Sequence, residues 1–218
     1  MRKMMAFLLV TLLVCGLFAG CRRSVPEQTQ PSTSMITIPT VTQTQPSQTT
    51  QTSTPTGGQE TASRSVRILD GIWQKYDSDQ KFSAYGGAVE NSVSDGAGAL
   101  DMANTEELTA RYLLPEDQLG NVTEGASLVH LMNSNIFTGV VLRVSDKSTM
   151  KELAKQWRTA IQGNRWICGQ PDKLVMMDVD GEHILMAFGS AEILSVFQEK
   201  AVEAYPDGVI LYQEAIVS

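Results

Sequence analysis

The chain has 218 residues, of which 42% are hydrophobic and 19% are charged. This hydrophobic content is enough for a packed core and excludes a wholly disordered protein. The net charge of −7 and the pI of about 4.9 argue against a nucleic-acid partner, because binding to phosphates needs a basic surface.

The N-terminus has the pattern of an export signal. Two basic residues precede an apolar run over residues 4–18, which is shorter than the ~20 residues of a membrane-spanning helix. The run closes with Leu17-Phe18-Ala19-Gly20-Cys21, which resembles the lipobox of bacterial lipoproteins. We expect removal of a signal peptide, 1–20, and transfer of a diacylglyceryl group, with acyl chains such as palmitate, to the thiol of Cys21. A plain secretory signal and an uncleaved anchor are the alternatives.

A polar uncharged segment follows the predicted lipidation site. It is rich in Thr, Gln, Ser and Pro and cannot bury enough apolar surface to offset the entropy of ordering. We therefore expect residues 21–64 to comprise the lipidated cysteine and a disordered tether. From Ser65 the apolar positions become periodic, and we expect a globular domain over 65–218. In this domain twelve Lys and Arg residues stand against twenty-two Asp and Glu residues, which gives a net charge of −10.

Three segments precede the predicted sheet. Apolar residues recur at helical spacing over 65–76, which predicts an amphipathic helix. Residues 81–100 hold four glycines among Ser and Asn, a composition typical of a long irregular loop. A second helix is expected to begin with Thr105 as its N-cap and to end before Pro115.

The remaining segments alternate between strand and helix patterns. We expect a first pair of strands at 126–132 and 136–144, joined by a tight turn at 133–135, and then a helix that begins with a capping box at Thr149. A second pair of strands is expected at 174–179 and 183–188, joined by an Asp-Gly turn. A helix capped by Ser190 and a strand over 209–217 complete the domain. The sequence thus predicts an α+β fold. We expect a mainly antiparallel sheet of about five strands in ββαββαβ order, with helices packed on it and two helices before it.

The chain has only two histidines, His130 and His183, and both fall in predicted strands among apolar neighbours. No convergent set of metal-ligating residues is visible, so we expect no metal and no cofactor. We interpret each histidine as a strand residue at a sheet edge or satisfied in the core. The chain also lacks a Gly-rich phosphate loop, a Gly-x-Ser-x-Gly elbow and a His-Glu-x-x-His helix, which weakens the case for an enzyme.

The most unusual string of the domain runs from Trp166 to Asp172. It lies between a predicted helix and a predicted strand, where binding residues are common. We take Trp166, Cys168 and Asp172 as candidate binding residues, together with Asn133 and Asn135 of the predicted hairpin. No catalytic residue is assigned.

Cys168 has no disulfide partner within the mature chain. Cys15 falls in the signal peptide, and the thiol of Cys21 is expected to carry lipid. We therefore expect Cys168 to be a buried structural thiol. The alternative is a catalytic thiol paired with His183, which would need an orienting group and an oxyanion hole.

Four strings, in this order, resemble those of an uncharacterised domain family of small lipoproteins from Gram-positive anaerobes. They are Leu69–Trp73, the Met-Asn-x-Asn hairpin within Leu131–Phe137, the Trp-x-Cys-Gly-x-Pro-Asp string within Trp166–Lys173, and Ala187–Gly189. The resemblance covers roughly residue 65 to the C-terminus. It implies a cell-surface lipoprotein and supplies no catalytic residues.

These patterns predict a lipoprotein anchored to the outer face of the cell membrane, with a non-catalytic binding or accessory domain. The expected partners are the membrane, through the lipid on Cys21, and an envelope protein or a small ligand. The alternative is a cell-envelope hydrolase or thiol-dependent enzyme that uses Cys168. An enzyme of that kind needs titratable groups with shifted pKa values in a cleft.

Overall fold

The computed structural model describes residues 62–217. The predicted signal peptide and the predicted tether up to residue 61 lie outside the described residues. The helices are α1 (Arg64–Trp73), α2 (Thr105–Ala110), α3 (Met150–Gln162) and α4 (Ala191–Ala204), with 3-10 helices at Val89–Asn91, Glu116–Asn121 and Lys147–Thr149. The strands are β1 (Ala84–Gly86), β2 (Val93–Ser94), β3 (Gly98–Ala99), β4 (Val122–His130), β5 (Phe137–Val144), β6 (Lys173–Asp178), β7 (His183–Gly189) and β8 (Val209–Ala215).

The strands form one antiparallel sheet of eight strands, in the order β2-β1-β4-β5-β7-β6-β8, with β3 paired to β4. The prediction of about five strands is therefore wrong. The strands β4 to β8 alternate with α3 and α4 along the chain, and the additional strands are β1, β2 and β3. These three lie in the segment where the sequence predicts an irregular loop.

The glycines that suggest a loop are required here by close backbone contact. Gly86 of β1 and Gly98 of β3 lie so near one another that a Cβ on either would overlap the backbone of the other. The Ser127 hydroxyl of β4 accepts a hydrogen bond from the backbone N of Gly87 at 2.9 Å. Strands this short, with glycine where β1 and β3 are in contact, lack the alternating hydrophobic pattern by which strands are recognised.

Helices cover both faces of the sheet. One face packs against α1 and α4 through a core that includes Leu69, Phe137 and Phe197. The other face packs against α2 and α3 around Tyr112 and Trp157, and the Trp157 Nε1 donates to the Tyr112 carbonyl oxygen at 2.8 Å. Because both faces are covered, the central strand β7 is buried at every position and reads as a continuous hydrophobic run.

The N-cap of α2 differs from the predicted residue, whereas the N-cap of α3 is Thr149 as predicted but lacks the predicted side-chain bond. The N-cap of α2 is Asn104 rather than Thr105, and its side chain accepts from the Glu107 backbone N at 3.1 Å. The Thr149 side chain makes no capping bond to α3, and its hydroxyl donates to the Asp146 carbonyl oxygen at 2.7 Å. A 3-10 turn runs directly into α3, so the Thr149 hydroxyl faces backward into that turn.

Candidate functional site

Two connections meet at one end of the sheet. The first, Leu131–Ile136, joins β4 to β5, and the second, residues 163–172, joins α3 to β6. The predicted hairpin forms between β4 and β5, and the Ile136 backbone N closes a turn on the Asn133 carbonyl oxygen at 3.0 Å. The connection is longer than the predicted 133–135, because β4 ends at His130. The chain after β8 ends at the same place, since Val217 donates its backbone N–H to Gln162 at the end of α3. We call the surface formed by Leu131–Ile136, Arg165–Gln170 and Val217 the loop end.

The side chains of Asn133 and Asn135 bind the backbone of the second connection. The Asn135 Nδ2 donates to the carbonyl oxygens of Ile167 at 2.7 Å and Gly169 at 2.6 Å. The Asn133 Nδ2 donates to the carbonyl oxygen of Cys168 at 3.1 Å, and its Oδ1 accepts from the Asn135 backbone N at 2.9 Å. Two side-chain amides thus hold three consecutive carbonyls, an arrangement that we call the asparagine clamp. The Asn135 amide donates twice and the Asn133 amide once, and these bonds fix the second connection.

The other candidate residues divide between two places. The Trp166 ring packs against Phe188 with centroids 5.0 Å apart, and its Nε1 is buried without a hydrogen-bond partner in the described part of the chain. The Asp172 Oδ2 instead accepts from the Ala191 backbone N at 2.8 Å and caps α4, where the predicted cap, Ser190, makes no side-chain bond. Four of the candidates therefore meet at the loop end, and Asp172 supports a neighbouring helix.

The structure corrects the interpretation of Cys168. Its side chain is exposed, so the expectation of a buried structural thiol is wrong. The residue adopts a left-handed backbone with φ of 64°, which its carbonyl bond to Asn133 holds in place. A pair with His183 does not form, because His183 begins β7 and Gly189, at the other end of that strand, is the residue that lies near the loop end.

Large apolar side chains project from the loop end. Met132 is 81% exposed and Ile167 is 80% exposed, and Leu131 and Val217 are exposed beside them. The asparagine clamp joins the two connections that carry Met132 and Ile167. These four exposed apolar side chains are the basis of the proposal made below.

His130 stabilises the entry into the loop end. Its ring stacks on Phe82 with centroids 5.3 Å apart, and its Nδ1 accepts from the Met132 backbone N at 3.2 Å. Burial lowers the pKa of His130 below its ordinary value of 6.5. The imidazole is therefore neutral near pH 7, as an accepting Nδ1 requires.

A second polar cluster, at the opposite end of the sheet, was not found from the sequence. The Ser65 backbone N, at the start of α1, donates to the Glu124 Oε1 at 2.6 Å. The His183 Nδ1 lies 2.9 Å from the Asp180 Oδ1, and Arg64 forms an ion pair with Asp180 at 3.5 Å. The Asp-Gly turn before His183 is the one sequence signal that pointed to this place. The cluster attaches the start of α1 to the sheet.

Ser65, His183 and Asp180 are the residue types of a nucleophilic triad, but their arrangement is not one. Ser65 is 0% exposed and His183 is 3% exposed, so no substrate can reach the hydroxyl. The Ser65 Oγ and the His183 Nε2 each lack a hydrogen-bond partner among residues 62–217. We interpret the cluster as structural.

An acidic cleft of about 280 Å³ lies beside α2. Two of its three carboxylates are engaged within the chain: Glu107 pairs with Arg111 at 3.0 Å, and the Asp101 Oδ1 accepts from the Ala103 backbone N at 2.9 Å. Over the described range, no three His, Cys, Asp or Glu side chains lie close enough to hold a metal ion.

Searches against protein-family models, curated proteins and solved structures each found no match. The resemblance to the lipoprotein family therefore stays a prediction. Within residues 62–217, no helix has both the length and the apolar character needed to cross a membrane.

Proposed function

We propose that the chain is a lipid-anchored lipoprotein on the outer face of the cell membrane, and that its domain acts by binding through the loop end. The anchor rests on the lipobox resemblance at Cys21. A tether between Cys21 and α1 would let the domain move over the membrane surface and meet a partner there.

The asparagine clamp is the observation that supports binding at the loop end. On a flexible loop, exposed apolar side chains would collapse onto the core. If they stayed exposed, ordering the loop on binding would cost conformational entropy and weaken the affinity. Here the hydrogen bonds from Asn133 and Asn135 fix the backbone that carries Ile167 before any partner arrives. A preorganised apolar surface is typical of a binding module.

The second candidate function is a cell-envelope hydrolase or another enzyme that uses the Cys168 thiol. Its support is the exposure of Cys168 on a left-handed backbone, because strained residues cluster at functional sites. A nucleophilic thiol also needs a base within hydrogen-bonding distance. His183 is at the far end of β7, and His130 uses its Nδ1 to accept from Met132.

Oxidative footprinting tests the binding proposal. Met132 is exposed and Met102 is half-buried, so dilute peroxide should oxidise Met132 faster in the purified full chain. In envelope membranes we expect Met132 to be protected several-fold relative to the purified chain, with Met102 unchanged. Equal oxidation of Met132 in both samples would show that the loop end is free and would contradict the proposal.

A further inference from the structure

We propose that the loop end docks on a phospholipid bilayer, with Met132 and Ile167 entering the interface and nearby basic residues contacting lipid phosphates. This inference rests on the proposed function and names the surface that the loop end binds.

The shape of the loop end favours a bilayer over a protein pocket. Met132 and Ile167 stand at 81% and 80% exposure on two adjacent connections, so they project from the domain and do not line a groove. A folded partner would need cavities that match both projections. A bilayer interface is fluid and accepts convex apolar side chains of any outline.

The charges near these side chains fit lipid phosphates. Arg165 lies next to Trp166, Lys173 begins β6 at the same end of the sheet, and Lys81 precedes Phe82, whose ring stacks on His130. All three basic side chains are exposed, and within residues 62–217 none has a carboxylate at ion-pair distance, whereas Arg64, Arg143 and Lys147 at the opposite end are paired. The Lys81 Nζ lies 5.1 Å from the centroid of the Trp73 ring, so Arg165 and Lys173 are the two whose charged ends can be placed at the phosphate level beside the apolar projection.

Trp166 reports how deeply the loop end enters the bilayer. Its ring is half-buried against Phe188, and its Nε1 is buried without a hydrogen-bond partner among the described residues, so the indole N–H does not itself face lipid headgroups. Ile167 follows it directly, so insertion of Ile167 would bring the Trp166 ring close to the acyl chains.

The predicted anchor allows this contact. The described chain begins at the end of the sheet opposite the loop end, because Ser65 bonds Glu124 near the start of β4. The nine residues of β4 span about 30 Å. The tether of about 40 residues expected from the sequence has an r.m.s. span of ~35 Å, which is enough to turn the loop end toward the bilayer that holds Cys21.

Tryptophan quenching by brominated lipid tests the inference. The full chain is mixed with vesicles of phosphatidylcholine and phosphatidylglycerol whose acyl chains carry bromine. Trp73 and Trp157 are buried in the core, so quenching reports Trp166. We expect quenching of Trp166 in the native chain and a several-fold loss of that quenching in Ile167→Asp, a readout that does not depend on the lipid on Cys21. The control is Val209→Asp, at a position that is 59% exposed at the opposite end of the sheet, and it should bind like the native chain.

Each other outcome overturns the inference. An unquenched native chain, or equal quenching in Ile167→Asp and Val209→Asp, would show that the loop end does not enter the bilayer. If Met132 is nevertheless protected in envelope membranes, the partner is a protein and the proposed function stands. A concentration-dependent dimer that Ile167→Asp abolishes would assign the surface to a second copy of the chain.

Discussion

The Asn135 side-chain amide donates to the carbonyl oxygen of Gly169 at 2.6 Å, across 34 residues of sequence. This bond joins the β4–β5 connection to the connection that enters β6. With the bonds from Asn133, it converts two loops that would otherwise be independent into one rigid surface. The polar residues that the sequence marks as candidate ligand binders thus position apolar ones, and Ile167 and Met132 face outward.

The asparagine clamp can be tested by removing one amide. Asn135→Ala deletes both bonds to the second connection and should lower the free energy of unfolding by about 1–3 kcal/mol. Urea denaturation measures the loss. Asn91→Ala, at an exposed position, is the matched control and should change the free energy of unfolding by less than about 0.5 kcal/mol. Equal effects of the two substitutions would show that the clamp adds no stability.

The thiol of Cys168 should react readily in the native chain. Its side chain is exposed, so labelling of the mature full chain by a thiol reagent should not require denaturation. Cys168→Ser should change the free energy of unfolding by less than about 0.5 kcal/mol, because the hydroxyl would remain in water. A thiol that reacts only after denaturation would restore the expectation of a buried structural cysteine.

A buried hydroxyl pair links β4 to the segment after α2. The Tyr112 hydroxyl lies 3.1 Å from the Ser127 Oγ inside the core. Tyr112→Phe should lower the free energy of unfolding by about 1–3 kcal/mol, because the buried Ser127 hydroxyl loses one hydrogen-bond partner. Tyr212→Phe, on a half-buried ring at the sheet edge, is the control and should cost less. A loss no larger for Tyr112→Phe than for the control would contradict this role.

The attachment of α1 to the sheet should weaken in acid. Burial acts to raise the pKa of Glu124, but the hydrogen bond from the Ser65 backbone N, together with further hydrogen bonds from Ser63 and Ser65, holds that pKa below its ordinary value of 4.5. A lowered pKa in the folded state means that Glu124 stabilises the fold above pH 4.5 and that this contribution is lost as the pH falls through the lowered value.

Glu124→Gln should therefore reduce stability at neutral pH and flatten the loss of stability in acid. Thermal unfolding as a function of pH measures both effects. Glu199→Gln, at an exposed position on α4, is the control and should keep the native pH profile. A Glu124→Gln profile parallel to that of the native chain would show that this carboxylate does not contribute.

The longer elements could be predicted because their hydrophobic periods are intact. Five apolar residues of α3, from Met150 to Ile161, are buried in the structure as helical spacing requires. The strands β1 to β3 could not be predicted, because each has only two or three residues and is too short to show an alternating hydrophobic pattern. The strands β1 and β3 form by pairing with the distant β4, and β2 forms by pairing with β1. The local sequence does not indicate these pairings.

The sequence located the candidate residues through the unusual composition of their segments. It did not indicate what each residue does. Asn133 and Asn135 suit a turn and a ligand site equally well in sequence, and only the distance to Cys168 and Gly169 decides between them. The neighbours of Cys168 also suggested burial. The φ of 64° turns its carbonyl toward Asn133 and leaves its side chain in solvent. A left-handed residue other than glycine is not readable from sequence.

The lipid anchor is best tested by metabolic labelling of cells with a fatty-acid analogue that can be tagged after lysis. We predict that the native chain carries the label and that Cys21→Ala abolishes it, while Cys168→Ala, the control for a second thiol, keeps it. The Cys21→Ala chain should also leave the membrane fraction or retain its signal peptide. Label that persists in the Cys21→Ala chain would contradict anchoring through Cys21.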